Sequence, residues 1–197
     1  MIKAVLFDFG GVLAEEGFKQ GLKVIGKERG FNPEDFYNST AELVYQTGYV
    51  SGTSGEHSFW EAVRKKTGVK EDDEVLREEI LKRFKLRPEM MQMVDRLKSS
   101  GLTVAILSDQ TNWLDELDRR TPFHDHFDHV FNSFHLKKTK RDPSIFRHVC
   151  AVLGVHPEEV VFVDDNPGNI ERASSQGLRT IHFKGVSEFR KEIEKFV

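Results

Sequence analysis

Acidic and hydroxyl side chains follow three apolar stretches of the sequence, at the point where each stretch ends. Asp8 follows VLF, Ser108 and Asp109 follow VAIL, and Asp164 and Asp165 follow VVFV. Carboxylates can act as nucleophiles or hold a divalent cation such as Mg²⁺, which prefers oxygen ligands. Two adjacent acids are costly to desolvate unless a positive group neutralises them. We therefore expect these side chains to form one catalytic or metal-binding site, although each alone could open a turn or cap a helix.

A basic run, KKTKRDPSIF, offers a positive group for the same site. Most of its charges are expected to be solvated, as in an ordinary basic loop. One lysine just before the Asp-Pro start of the following helix could nevertheless reach the acids. The residues alone do not decide which lysine does so.

The three apolar stretches are predicted to be strands of one parallel sheet. Residues 2–7 are rich in branched and aromatic side chains and end at glycines, as a buried strand does. Beyond residue 88, helical patterns alternate with the strand patterns LTVAILSD, HVFN, VVFVDD and RTIHF. This alternation is typical of an α/β fold, a Rossmann-like parallel sheet with helices on both faces. The carboxyl ends of such strands share one edge, where ligands bind, and this places the acids together.

The residues between the first strand and this alternating region have only helical patterns. A lone strand is unstable, so the first strand must belong to the later sheet, and residues 15–86 become an all-helical insertion. We therefore predict a discontinuous core of residues 1–14 and 87–197 with a helical cap of residues 15–86. Five aromatic side chains of the insertion are expected mainly to form its own core, with one or two facing the site: Phe18, Tyr45, Tyr49, Phe59 and Trp60.

Composition narrows the class of protein. The 197 residues carry 29 Lys plus Arg and 32 Asp plus Glu, a net charge of −3. This balance argues against nucleic acid or a membrane surface as a partner, while a small anionic substrate needs only a few local cations. The single cysteine, Cys150, lies in an apolar helical pattern and is expected to be buried. With no long apolar segment, we expect a cytoplasmic protein that is a monomer or a homodimer.

The order and spacing of four motifs resemble the haloacid dehalogenase superfamily. They are FDFGGVL, ILSDQ, SFHLKKTKRDPSIF and VFVDDNPGNIERASSQG. In the third, the usual Lys-Pro-Asp-Pro of the family becomes Lys140-Arg141-Asp142-Pro143. The chain is similar to the phosphatase-like branch with a helical first-type cap, including sugar-1-phosphate phosphatases and the phosphatase domain of soluble epoxide hydrolase.

This resemblance implies a Mg²⁺-dependent phosphomonoester hydrolase that acts through an aspartyl-phosphate intermediate. Asp8 would be the nucleophile, and Lys140 would be the lysine that clamps the transferring group. Ser108 and main-chain N–H groups near Asp109 would bind phosphate. The substrate would be a small phosphorylated metabolite, with a sugar phosphate as one candidate.

The resemblance also implies a set of metal ligands. Mg²⁺ would be held by Asp8, the carbonyl of Gly10 and the acid pair Asp164-Asp165; Asp165 is the first choice for the direct ligand, and the sequence does not decide between the two acids.

The sequence departs from many phosphatases of this superfamily at Gly10, where they carry a second Asp. That Asp protonates the leaving oxygen, and a positioned acid is worth about 10² to 10⁴ in rate. A weaker enzyme is expected unless another group substitutes.

Two rival functions remain at this stage. One is a 2-haloacid dehalogenase, although those enzymes resemble Asp-x-Tyr-Gly-Thr where this chain has Asp-Phe-Gly-Gly-Val. The other is a catalytically weak binding or regulatory member of the same fold.

Overall fold

A five-stranded parallel sheet forms the centre of the molecule in the computed structural model, which describes residues 1–196. Its strands are β1 (Ala4–Phe7), β2 (Thr103–Ser108), β3 (His129–Asn132), β4 (Val160–Asp164) and β5 (Arg179–His182). They lie in the order β3-β2-β1-β4-β5, and every neighbouring pair is parallel. The α/β fold expected from the alternating pattern is therefore confirmed. The short first strand pairs between β2 and β4, so the two ends of the chain's core are joined in one sheet.

Helices cover both faces of the sheet. The helices of the described residues are α1 (Gly17–Glu28), α2 (Pro33–Thr40), α3 (Leu43–Gln46), α4 (Glu56–Thr67), α5 (Asp73–Leu81), α6 (Pro88–Ser99), α7 (Trp113–Arg120), α8 (Ser133–Leu136), α9 (Ser144–Leu153), α10 (Pro167–Ser175) and α11 (Val186–Ile193). Alternate residues of each strand point to opposite faces. On β1, Val5 and Phe7 pack with α6 and α11, whereas Leu6 packs with α9 and α10. Cys150 of α9 is buried in this second layer. Within residues 1–196, no helix is long and apolar enough to cross a membrane.

Helices α1–α5 all lie between β1 and α6, and we call residues 17–81 the helical segment. Its apolar residues join the layer under α6 and α11 in one continuous cluster. The stretch from residue 33 to residue 46 forms two short helices, α2 and α3, and not one continuous helix. The hydroxyls of Ser39 and Thr40 both donate to the carbonyl of Phe36, at 3.0 and 2.7 Å. Such side-chain bonds compete with the backbone ladder at the end of α2.

Polar contacts tie the loop between α3 and α4 to the sheet side of the molecule. Ser133 donates to the carbonyl of Val50 at 2.8 Å, and Lys137 donates to that of Gly52 at 2.7 Å. Tyr49 donates to Asn112 at 2.6 Å. These bonds hold the helical segment over one edge of the sheet. The division at residues 14 and 87 into core and cap stays a prediction.

Candidate active site

The acids at the strand ends lie together in the structure. Asp8 follows β1, and its amide donates to the carbonyl of Val163 in β4 at 2.9 Å. This pairing places Asp8 beside Asp164 and Asp165, and one oxygen from each of the three carboxylates lies within 4.8 Å of the others. Ser108, at the end of β2, lines the same cavity. The parallel topology has therefore brought together groups that follow three different strands and lie far apart in the sequence.

Lys140 is the lysine of the basic run that reaches these acids. Its ammonium group lies 2.9 Å from Asp8 and 2.7 Å from Asp164, and its side chain is 1% exposed. Burial disfavours the charged form, but the carboxylates of Asp164, Asp8 and Asp109 outweigh that effect and raise the pKa of Lys140. Lys140 therefore stays an ammonium throughout the physiological range.

The backbone of Lys140 is fixed from two sides. Its amide donates to Asp109 Oδ1 at 2.8 Å, and its carbonyl accepts from Arg172 Nε of α10 at 2.8 Å. Arg172 also donates to the side-chain oxygen of Asn169 at 2.7 Å. Burial is the main cause that raises the pKa of Asp109, against the pull of Lys140. The side chain of Asp109 is therefore used to position Lys140, and only its main chain remains for the substrate role expected of this residue.

Asp8 occupies an environment that opposes its charge. Its pKa is raised to about 7, mainly by burial; the carboxylates of Asp164 and Asp165 add to this effect, and the attraction of Lys140 opposes it. Its Oδ1 accepts from the amide of Phe9 at 2.7 Å. A carboxylate in such a place becomes ionised most readily when a second positive group joins the site.

The two acids of the pair have different surroundings. Asp164 is fully buried, and its oxygens accept from Lys140, the amide of Asn166 and the side chain of Asn169. Asp165 is partly exposed and faces the cavity. Asp164 is therefore mainly the partner of Lys140, and Asp165 is the acid with oxygens available for a metal.

The glycine pair after Asp8 shapes the space next to Asp165. Gly11 has φ of +87°, and a Cβ there would lie 2.2 Å from Asp165 Oδ2. Only glycine combines that conformation with such a close carboxylate. The neighbouring turn uses the carbonyl of Phe9 and the amide of Gly11 for hydrogen bonds to Ala14, at 2.9 and 2.8 Å.

The donor set fits a hard divalent cation. Two carboxylates, Asp8 and Asp165, together with the carbonyl of Gly10, are oxygen ligands of the kind that Mg²⁺ prefers. The carboxylates of Asp8, Asp164 and Asp165 carry more negative charge than the ammonium group of Lys140 can neutralise. The site therefore needs a further positive charge.

A cavity of about 420 Å³ opens over these groups and is walled by both parts of the molecule. Phe18 and Tyr45 face it from the helical segment, whereas Tyr49, Phe59 and Trp60 are fully buried. The hydroxyl of Tyr45 donates to Asp109 Oδ2 at 3.3 Å, so this wall is bonded to the edge of the sheet.

Glu16 and Arg141 are two of the cavity residues to which the sequence analysis gave no role. Glu16 caps α1 through its side chain, which accepts from the amide of Lys19 at 2.7 Å. Glutamate is not among the preferred cap residues, so the sequence held no signal for it. Arg141 lies over the ring of Tyr45 at 3.4 Å and pairs with Glu42 of the helical segment at 2.7 Å. Arg141 belongs to the basic run, but the sequence does not show that it lines the cavity.

Comparison with known proteins gives a consistent family. A model of the haloacid dehalogenase-like hydrolases matches residues 2–177. Bifunctional epoxide hydrolase 2 of Sus scrofa is 27% identical over 216 residues, covering 98% of this chain and 38% of that protein. The chain thus spans well under two thirds of this relative, and only 20% of the Rattus norvegicus protein is matched.

Two shorter relatives have different names. Phosphoserine phosphatase of Thermus thermophilus is 28% identical over 202 residues, covering 91% of this chain and 80% of that protein. (S)-2-haloacid dehalogenase 4A of Burkholderia cepacia is 33% identical over 118 residues, covering 56% and 50%. Among solved structures, a HAD family enzyme from Bacteroides thetaiotaomicron, an Asp-to-Ala mutant in complex with magnesium and inorganic phosphate, has a TM-score of 0.79 at 22% identity, covering 93% of this chain and 95% of that one. This likeness confirms the fold.

Proposed function

The chain belongs to the haloacid dehalogenase-like hydrolases, and we propose that it is a Mg²⁺-dependent phosphomonoester hydrolase in which Asp8 forms an aspartyl-phosphate. The observation that carries the proposal is the charge of the site. Asp8, Asp164 and Asp165 meet around a single ammonium, Lys140. A displacement of halide by Asp8 has no need of a second acid exposed beside the nucleophile, whereas transfer of an anionic phosphoryl group requires a cation that such acids hold.

The residues of the edge have separate tasks in this reaction. An oxygen of Asp8 attacks phosphorus, while Lys140 stabilises the charge on the transferring group and Ser108 donates a hydrogen bond to it. Water then attacks the aspartyl-phosphate, releases inorganic phosphate and regenerates Asp8. Mg²⁺ held by Asp8, Asp165 and the carbonyl of Gly10 supplies the positive charge that lets two anions meet.

A small phosphorylated metabolite is the proposed substrate. The cavity has room for a compact molecule, and it is lined by hydrogen-bonding and charged groups such as Tyr37, Tyr45 and Arg141. A phosphate ester of a polar alcohol, with a sugar phosphate as one example, offers this lining more hydrogen-bonding groups than a small 2-haloacid does. The phosphatase name of one relative and the phosphate complex of the structural neighbour support the same class.

The experiment compares phosphate and halide release by metal-stripped protein. We expect p-nitrophenyl phosphate to be hydrolysed when Mg²⁺ is added and hydrolysis to stop when EDTA follows. Asp8→Asn should abolish turnover, because an amide is not a nucleophile, and Asp165→Ala should require far more Mg²⁺. Both variants should keep the folded circular dichroism spectrum of the wild type.

The dehalogenase relatives make the opposite outcome specific. Metal-independent release of chloride from (S)-2-chloropropionate, without phosphate release from any ester, would replace this proposal with a dehalogenase. An Asp8→Asn protein that still hydrolyses phosphate esters at the wild-type rate would remove Asp8 from the mechanism.

A further inference from the structure

We propose that Glu16 is the catalytic acid and base of this enzyme, acting from the start of α1 in place of the side chain that Gly10 lacks. The inference rests on the proposed phosphatase function, and it names the group that handles the proton. It also replaces the expectation that Gly10 leaves a weaker enzyme with no positioned acid.

The position of the Glu16 carboxyl carries the proposal. A Cβ built on Gly10 would lie 4.0 Å from Glu16 Oε1, so this oxygen occupies the neighbourhood that a side chain at residue 10 would fill. Glu16 lines the same cavity as Asp8, Lys140 and Asp165. The longer glutamate side chain thus reaches, from the next turn of the chain, the space that an Asp at residue 10 would enter.

The Glu16 carboxyl is also oriented. Its Oε2 accepts from the amide of Lys19 at 2.7 Å, which leaves Oε1 directed toward Gly10. A protonated carboxyl meets both demands at once, since Oε2 can keep accepting while Oε1 carries the proton. The ring of Phe84 also lies beside this space, with Cε1 3.1 Å from the position of the same Cβ.

The electrostatic surroundings agree with this geometry. Burial is the main cause that raises the pKa of Glu16 to about 7, the Lys19 amide opposes it, and the Asp165 carboxylate adds to it. Lys19 on α1 and Tyr37 on α2 are the other titratable groups facing it. An acid poised near neutrality can give and take a proton at similar cost, as a group with both roles must.

The proton moves twice in each turnover. As Asp8 attacks phosphorus, the bond from phosphorus to the ester oxygen breaks, and that oxygen takes the proton of Glu16. The Glu16 carboxylate then takes a proton from the water that attacks the aspartyl-phosphate. The bond from phosphorus to Asp8 breaks, inorganic phosphate leaves, and both carboxyl groups return to their first states.

Leaving-group dependence tests this role, measured as kcat/KM for aryl and alkyl phosphates with saturating Mg²⁺. For the wild type we expect a shallow dependence on the pKa of the leaving alcohol, because Glu16 neutralises the departing oxygen. In Glu16→Gln, kcat/KM should fall by a factor of about 10² to 10⁴ for alkyl phosphates and by much less for p-nitrophenyl phosphate. Gln keeps the size of the side chain and an oxygen that can accept from Lys19, so the cap of α1 survives.

Two further variants separate the role from its structural alternatives. Glu15→Gln is the matched control, since Glu15 is the adjacent acid but does not line the cavity. Its carboxylate pairs with Arg87 at 3.3 Å. This variant should leave the dependence shallow. Gly10→Asp is compatible with the backbone, because Gly10 does not have a left-handed φ, and it needs only a small shift of the Phe84 ring. When this change is added to Glu16→Gln, it should restore kcat/KM for alkyl phosphates selectively.

The outcomes separate the two proposals. If Glu16→Gln slows all esters equally, or raises the Mg²⁺ needed for half-maximal rate, Glu16 is a structural or metal-linked residue and the inference fails while the phosphatase stands. An unchanged slope in Glu16→Gln would overturn it as well. A wild type that releases no phosphate from any ester overturns the proposed function, and the inference falls with it.

Discussion

The edge of the sheet and the helical segment face the same cavity with very different side chains. At the edge, Lys140 and Asp164 are 1% and 0% exposed and lie 2.7 Å apart. In the contact between the helical segment and that edge, Arg141 and Glu42 lie equally close, 2.7 Å apart, but are 47% and 56% exposed. Buried ions cannot lose a partner without a large cost, whereas exposed ions exchange partners with water. The edge is therefore built for one chemistry, and the helical wall can vary to suit a substrate.

The largest effect that tests this comparison is expected at Lys140. Lys140→Met keeps most of the side-chain volume but leaves Asp8 and Asp164 buried without their cation. Removing one partner of a buried pair costs about 3–5 kcal/mol, which we expect to appear in the free energy of unfolding by urea. Turnover of p-nitrophenyl phosphate should fall by about 10³-fold or more, since charge stabilisation supplies a large part of such rates.

Lys138→Met is the matched control for that change. Lys138 belongs to the same basic run, but its side chain is 36% exposed and donates to Ser144 at 2.8 Å. Its replacement should change the free energy of unfolding by no more than about 0.5 kcal/mol. Equal effects of the two substitutions would show that the edge is no more constrained than the surface.

An intermediate effect is expected where the two regions join, at Glu16. Its pKa is about 7 in the folded protein against an ordinary 4.5, so the folded state binds more protons than the unfolded state between those values. Stability contributed by the protonated carboxyl is therefore lost as the pH rises from about 4.5 through 7. Glu16→Gln removes this loss, and the decrease in Tm between pH 5 and pH 8 should shrink by a few degrees, at about 2–4 °C per kcal/mol.

Glu15→Gln controls for the removal of one negative charge at the same point of the chain. Scanning calorimetry of the three proteins at both pH values gives the comparison. A decrease in Tm that is the same in the wild type and in Glu16→Gln would mean that the Glu16 carboxyl is hydrated in both states.

The smallest effect on stability is expected at the ion pair between Glu42 and Arg141. A double-mutant cycle with Glu42→Gln and Arg141→Ala should give a coupling energy of only about 0.2–1 kcal/mol, because both side chains are exposed. Arg141 lines the cavity over the ring of Tyr45, so Arg141→Ala should raise KM several-fold and change kcat little. A coupling of several kcal/mol, or a large loss of kcat, would place this pair with the edge.

The sequence by itself determined the fold class and the main groups of the site. Apolar stretches that alternate with helical patterns indicate a parallel sheet, and such a sheet has one edge where the carboxyl ends of the strands meet. Asp8, Ser108 and Asp164-Asp165 could therefore be assigned to one place before any contact was known. The choice of Lys140 among the three lysines of the run rested on the resemblance to a family.

The tertiary structure alone decided the surroundings of these groups. Nothing in the sequence shows that Asp109 and Arg172 fix the backbone of Lys140. Nor does it show that the oxygens of Asp164 accept hydrogen bonds from Lys140 and Asn169, which leaves Asp165 as the acid available to a metal. Glu16 is the clearest case, because glutamate is not a preferred cap residue and nothing around it in the sequence indicates a place in the cavity. Only the folded chain brings its Oε1 within 4.0 Å of a Cβ built on Gly10. Local patterns depend on neighbours along the chain, whereas burial, pKa and reach depend on atoms that the chain brings together from far apart.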